Sequence, residues 1–160
     1  MTVGIGTSGR AGGARRARRA RRAGQTMVEF SVVAVLTAIM LLFVVEIGRT
    51  MLVYTTVANA ARAGVRYAVV HGSSRSAGST VDSASGPGNN PAQVVTVVKN
   101  FASAGLLTTS RLVVTVTYPG GSNAPGQYVT VSAVYPYDPL TTYFSKTLRL
   151  GSASQGIIVF

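Results

Sequence analysis

Sixteen consecutive residues, Phe30 to Val45, carry no charged side chain, and the wider stretch from Gln25 to Gly48 contains only Glu29 and Glu46. No other feature narrows the fold as much. At the helical rise, sixteen residues extend roughly 24 Å and twenty-four about 36 Å, on either side of a bilayer core of about 30 Å. A helix apolar on every side needs apolar surroundings, and a 160-residue chain rarely supplies them from its own core. The run therefore reads as a membrane span, with a buried helix of a soluble protein as the alternative. Seven of the 15 Lys and Arg residues precede it: Arg10, Arg15, Arg16, Arg18, Arg19, Arg21 and Arg22. Arginines on that flank predict an N-terminus kept in the cytoplasm and residues 47–160 outside, in a single-pass protein of the cytoplasmic membrane. A secretory signal peptide would be cut beyond its apolar core. Here the helical pattern runs on through Glu46-Ile47-Gly48-Arg49 with no A-x-A site. The paired arginines also admit a twin-arginine signal, but that needs a shorter, weaker apolar region and a later cleavage site.

Residues 1–24 are rich in Gly, Ala, Ser and Arg, lack acidic residues and show no apolar period, so they read as a disordered basic leader. Beyond the span, Arg49 to Val70 has no proline and places Leu52, Val53, Val57, Ala60 and Ala61 near helical spacing. One helix is expected from about Thr26 to Val70, with 25–48 in lipid and 49–71 in water, ending at His71-Gly72. Residues 72–90 are loop by composition. Asn90-Pro91 opens, and Gly105 closes, a short helix over 91–104. Alternation in Leu112, Val114, Val116 and Tyr118, and again in Val129, Val131, Ala133 and Tyr135, predicts a hairpin across a turn-rich loop, with Pro136 and Pro139 ending its second strand. Leu148 to Phe160 supplies one or two further strands. The expected class is α+β: a long N-terminal helix, its first half transmembrane, packed on a small antiparallel sheet with one short helix. Residues 72–160 would form the extracytoplasmic domain, its core completed by the aqueous half of the helix.

The chemistry available is thin. There is no cysteine, which excludes disulfides, thiolate nucleophiles and Cys-ligated metals. One histidine and four carboxylates argue against an enzyme, and no catalytic, metal or cofactor-binding residue is assigned. Gly4-Ile5-Gly6-Thr7-Ser8-Gly9 satisfies G-x-G-x-x-G but neither follows a strand nor opens a helix. His71 with Asp82 or Asp138 and a serine leaves a small anchored hydrolase as a remote alternative, without any G-x-S-x-G elbow. The arginine run could neutralise nucleic-acid phosphates, but directly before a span it is better matched to anionic lipid and orientation. Glu46 and Arg49 stand i, i+3 on one helical face, where an intrahelical ion pair at the membrane interface is expected. Arg62 and Arg66 read as a solvated face. Ala58, Ala60, Ala61, Ala63 and Gly64 permit close packing, against the chain's own domain or another subunit.

The order of these features carries a resemblance. A basic arm ends at Gly24-Gln25, followed by Val28-Glu29-Phe30, the apolar run, Glu46-Ile47-Gly48-Arg49 and Asn59-Ala60-Ala61-Arg62-Ala63-Gly64-Val65-Arg66-Tyr67-Ala68. Over about 45 residues this resembles the TadE-like family of pilin-like proteins (type IV prepilin type) from tight-adherence, or Flp, pilus systems. Beyond residue 72 the likeness is one of kind, with valine-rich strands and the exit Tyr135-Pro136-Tyr137-Asp138-Pro139-Leu140. The resemblance implies cleavage between Gly24 and Gln25 by a prepilin peptidase, for which glycine permits close backbone approach. It also implies that Glu29 meets the new α-amine of a neighbouring subunit, a pair that fixes register once both charges leave water. A glutamate that merely snorkels and complements the helix N-terminus is the plainer role. The implied function is a minor pilin or pseudopilin, with other pilin-like subunits, the assembly platform and membrane lipid as partners. An unprocessed membrane-anchored accessory protein of the same machinery is the alternative.

Overall fold

In a computed structural model, residues 9–75, 86, 91–105, 107–140 and 147–160 are described. The chain divides into two units, Met1–Val45 and Glu46–Phe160. Helix α1, Gly9–Val70, contributes to both. It starts well before the expected residue 26, so the leader from Gly9 onward is helical rather than disordered. Composition points to disorder because this segment offers too little apolar area to offset the entropy of ordering it. Alanine and arginine are nevertheless strong helix formers, and a segment added to an existing helix is spared the cost of nucleation.

In the first unit every side chain from Gly24 to Val45 is exposed. The helix is long and apolar enough to cross a membrane: its most apolar window has a mean hydropathy of 2.6, and none of that window is buried. The polar side chains within it look after themselves. Ser31 Oγ donates to Met27 O at 2.7 Å and Thr37 Oγ1 to Val33 O at 2.8 Å, so neither hydroxyl needs a partner beyond its own helix.

The second unit is a two-layer α+β domain. Helix α2 is Ala92–Ala104, a short 3₁₀ turn covers Thr109–Arg111, and three strands follow: β1 Val113–Thr117, β2 Tyr128–Tyr137 and β3 Leu148–Ile157. The sheet is antiparallel with order β1-β2-β3. Val114 lies opposite Ala133 and Val116 opposite Val131; across the other ladder Val131 faces Ser154 and Tyr137 faces Leu148. The period-2 pattern thus yields the expected hairpin. Pro136 does not end β2, which continues to Tyr137 with Pro136 opposite Arg149. The pairing with β1 stops at Val134, so Pro136 sits where β2 has a neighbour on one side only, a position at which a missing N–H is tolerated. The Leu148–Phe160 segment forms one strand rather than two.

Helices and sheet share one core. From α1 it takes Val57, Ala60, Ala61, Val65 and Ala68, at i, i+3, i+4, i+8 and i+11; from α2 come Val94, Val98 and Ala102. The sheet contributes the inward residues of β1 and β2, with Ile158 just beyond β3. Leu52 falls off the α1 stripe and is exposed, as is Phe101 on α2. Gly64 is a point of close approach between the layers: a Cβ there would collide with Val98 Cγ2 and lie 3.2 Å from Val131 Cγ1. The small residues of the α1 motif therefore serve packing against the chain's own domain. Gly105 caps α2 with φ −84°, so it is not glycine for backbone freedom; a Cβ there would strike Thr56 of α1. Pro91, not Asn90, is the N-cap residue of α2, and it makes no side-chain capping bond. Asn90 and most of the 72–90 loop lie outside the described residues.

Candidate anchoring and assembly site

The residues singled out for chemistry fall into two groups. Gly24, Gln25 and Glu29 lie in the first unit, within α1 and fully exposed. Five residues along a helix span about 7.5 Å, so Gly24 and Glu29 stand somewhat more than one turn apart. A Cβ at Gly24 would meet nothing within 4 Å, so packing does not demand glycine there. The leader, expected to be disordered up to Gly24, is helical from Gly9 through the Gly24-Gln25 bond. Glu29 makes no hydrogen bond or ion pair among the described residues. It is also the one carboxylate between Gly24 and Val45.

The second group is a cluster at the start of the second unit. The expected Glu46–Arg49 pair is present, with Arg49 Nη1 3.7 Å from Glu46 Oε2. It is the longest of the contacts on that carboxylate. Tyr137 Oη donates to Glu46 Oε1 at 2.6 Å, across 91 residues of sequence, and the Leu140 N–H approaches Oε2 at 3.4 Å. The Glu46 side chain is 13% exposed while Arg49 retains 43%, and the Arg49 guanidinium carbon lies 5.6 Å from the centre of the Tyr137 ring. The carboxylate is thus a clasp between α1 and the end of β2. Burial, and then the hydrogen bond to Glu46, push the Tyr137 hydroxyl above the ordinary tyrosine value. Beside it Arg111 Nη2 holds Asp138 Oδ2 at 2.7 Å. That hydrogen bond, helped by one from Thr147, keeps the Asp138 carboxyl below the usual aspartate range.

Tyr137, Leu140 and Arg111 were not identified as partners from sequence. The Tyr-Pro-Tyr-Asp-Pro-Leu exit was visible, but nothing local ties it to Glu46. His71 is buried at the end of α1, its Nδ1 2.8 Å from Tyr67 O and its ring stacked on Tyr67 at 3.8 Å between centroids. Asp138 is engaged by Arg111, and Asp82 lies outside the described residues. Arg62 and Arg66 are exposed, as expected of a solvated face, with Arg62 Nη1 donating to Asn59 Oδ1 at 3.4 Å. Of the tyrosines, Tyr118, Tyr135 and Tyr137 are buried and Tyr128 is half exposed; Tyr143 lies outside the described residues.

The first unit is an exposed apolar helix long enough to cross a membrane, and the second is a small α+β domain. Residues 24–66 match the model of the TadE-like protein family, and over that stretch the chain is TadE-like. The family is tied to tight-adherence pilus systems. No curated protein and no solved structure matches the chain. The family match begins at Gly24 and ends at Arg66, so α2 and the sheet lie beyond it.

Proposed function

We propose that this protein is a minor pilin or pseudopilin-like structural subunit of a tight-adherence pilus, held in the cytoplasmic membrane by residues 25–48 with its α+β domain outside. In this reading residues 1–24 are a leader removed by a prepilin peptidase between Gly24 and Gln25, and Glu29 pairs with the α-amine of a neighbouring subunit. The observation that carries it is the coincidence of two boundaries at one place, just ahead of the apolar run. The arginine-rich arm ends and the family match begins at Gly24, and the charge-free run starts six residues later at Phe30. Two further features support the roles assigned. Glycine within a helix costs about 1 kcal/mol relative to alanine, and nothing packs on Gly24 to offset that, so its value lies outside the folded chain. Glu29 is exposed and makes no bond among the described residues, as suits a group kept for an external partner. The work is structural, with other pilin-like subunits and the assembly platform as partners.

One observation favours a second reading. Helix α1 passes through Gly24 without a break, and a protease would have to unwind it, so an unprocessed anchor protein of the same machinery is the competitor. Mass spectrometry of the membrane-purified protein separates the two. A mature N-terminus at Gln25, lost in Gly24→Leu, is the expected result; an intact leader in piliated cells overturns the processing step. Glu29→Ala should leave the N-terminus unchanged and lower co-purification with pilin-like subunits. Unaltered co-purification would return Glu29 to a snorkelling role.

A further inference from the structure

We propose that the end of the domain built around Glu46, Tyr137 and Leu148 is a second membrane-contact surface, which rests on anionic phospholipid headgroups. The inference depends on residues 25–48 being a membrane anchor, and adds to it a surface of the domain that the anchor alone does not require.

Glu46 follows Val45 directly, so in an anchored chain it marks the level at which the helix leaves the hydrocarbon. What is bonded to Glu46 is therefore held near the headgroups. The Leu140 N–H is 3.4 Å from its carboxylate and the Tyr137 hydroxyl 2.6 Å. Leu148 pairs with Tyr137 across the β2–β3 ladder, and Arg149 with Pro136. Two large apolar side chains at this end are open, Leu140 at 68% and Leu148 at 46% exposure. Such residues beside a polar cluster suit the headgroup boundary, where apolar side chains find cover and polar groups keep their water.

The charges at this end point the same way. Both carboxylates are occupied internally: Glu46 by Tyr137, Leu140 and Arg49, and Asp138 by Arg111. Glu46 is nearly buried, whereas the Arg49 guanidinium above it and Arg149 on β3 are exposed. Among the described residues this end therefore carries more exposed basic than acidic charge: Arg49, Arg111 and Arg149 against Asp138, with Glu46 nearly buried. A basic guanidinium presents planar donors suited to phosphate oxygens, and juxtamembrane Arg is attracted to anionic lipid within a Debye length.

The chain lacks cysteine, so single-cysteine variants report single positions. Leu140→Cys, Leu148→Cys, Thr117→Cys at the far end of β1 and Leu36→Cys in the apolar run would each carry an environment-sensitive fluorophore. The full chain is reconstituted in vesicles of phosphatidylcholine with or without phosphatidylglycerol, and quenched by lipids labelled in the headgroup or the acyl chain. Labels at 140 and 148 should be quenched from the headgroup level, more strongly with phosphatidylglycerol, while 117 stays unquenched and 36 is quenched from the acyl chains. Combined Arg49→Gln and Arg149→Gln should abolish the phosphatidylglycerol increment. Quenching at 36 with none at 140 or 148 overturns the contact surface and leaves the anchor intact. No quenching at 36 overturns both. An increment that survives loss of both arginines overturns the headgroup assignment.

Discussion

The same helix treats its apolar residues in opposite ways at its two ends. Between Gly24 and Val45 the large apolar side chains are Leu, Ile, Phe, Met and Val, and all of them are exposed. Between Val57 and Ala68 the side chains turned to the core are Val, Ala and Gly, and they are buried. The greasier segment is the one with no protein over it. Hydropathy alone thus locates a solvent requirement, whereas small size marks the face that another element approaches. Gly64, with α2 and β2 pressed against it, is the sharpest case.

That contrast can be broken most directly by a charge in the exposed segment. Leu36→Arg should disfavour membrane insertion by about 2.5–3.5 kcal/mol, so membrane fractionation would show the protein largely lost from the bilayer. Its domain should melt unchanged, because Leu36 is exposed and is not one of the core residues. The converse substitution is Gly64→Leu. It should leave insertion alone and destabilise the domain by roughly 1–3 kcal/mol or more through overpacking against Val98 and Val131, read by chemical denaturation in detergent.

A smaller effect belongs to the clasp. Tyr137→Phe removes the donor to Glu46 Oε1 and should cost about 1–3 kcal/mol, since a nearly buried carboxylate loses its shortest hydrogen bond. The same pair gives a pH dependence with a definite sign. The folded state raises the Tyr137 value, so it holds the phenol proton more tightly than the unfolded chain does. The associated stability is complete below the ordinary tyrosine value of about 10 and is lost as pH rises through the higher folded value. Denaturation midpoints of the parent chain should fall across that alkaline window and those of Tyr137→Phe should fall less. Smallest of all, Phe101→Ala should change domain stability by no more than about 0.5 kcal/mol, because this large apolar side chain is 44% exposed on α2.

The elements of the fold were legible wherever periodicity is local. The charge-free run, the helical spacing of Val53, Val57, Ala60 and Ala61 and the alternation in both strands of the hairpin each translate into the observed element, although Leu52 of that stripe is exposed. The misreadings have physical causes. Composition cannot reveal that an arginine-alanine arm will extend a helix already nucleated beside it. Pro136 reads as a strand end unless one knows that β1 has stopped two residues earlier. The Glu46–Arg49 spacing disclosed a pair on one helix, but not the tyrosine arriving from 91 residues away as the nearer partner. Long-range contacts of this kind depend on sheet register, which no local pattern encodes.

The account turns on the exposed helix having lipid for its surroundings, with the domain on the far side of the membrane from the arginines. In intact cells, single-cysteine variants treated with a membrane-impermeant maleimide test both points at once. Thr115→Cys, on the exposed face of β1, should react without lysis, and Leu36→Cys should stay unreactive until detergent is added. Reaction at Leu36→Cys in undisturbed membranes, or at Thr115→Cys only after the cells are opened, would contradict the account.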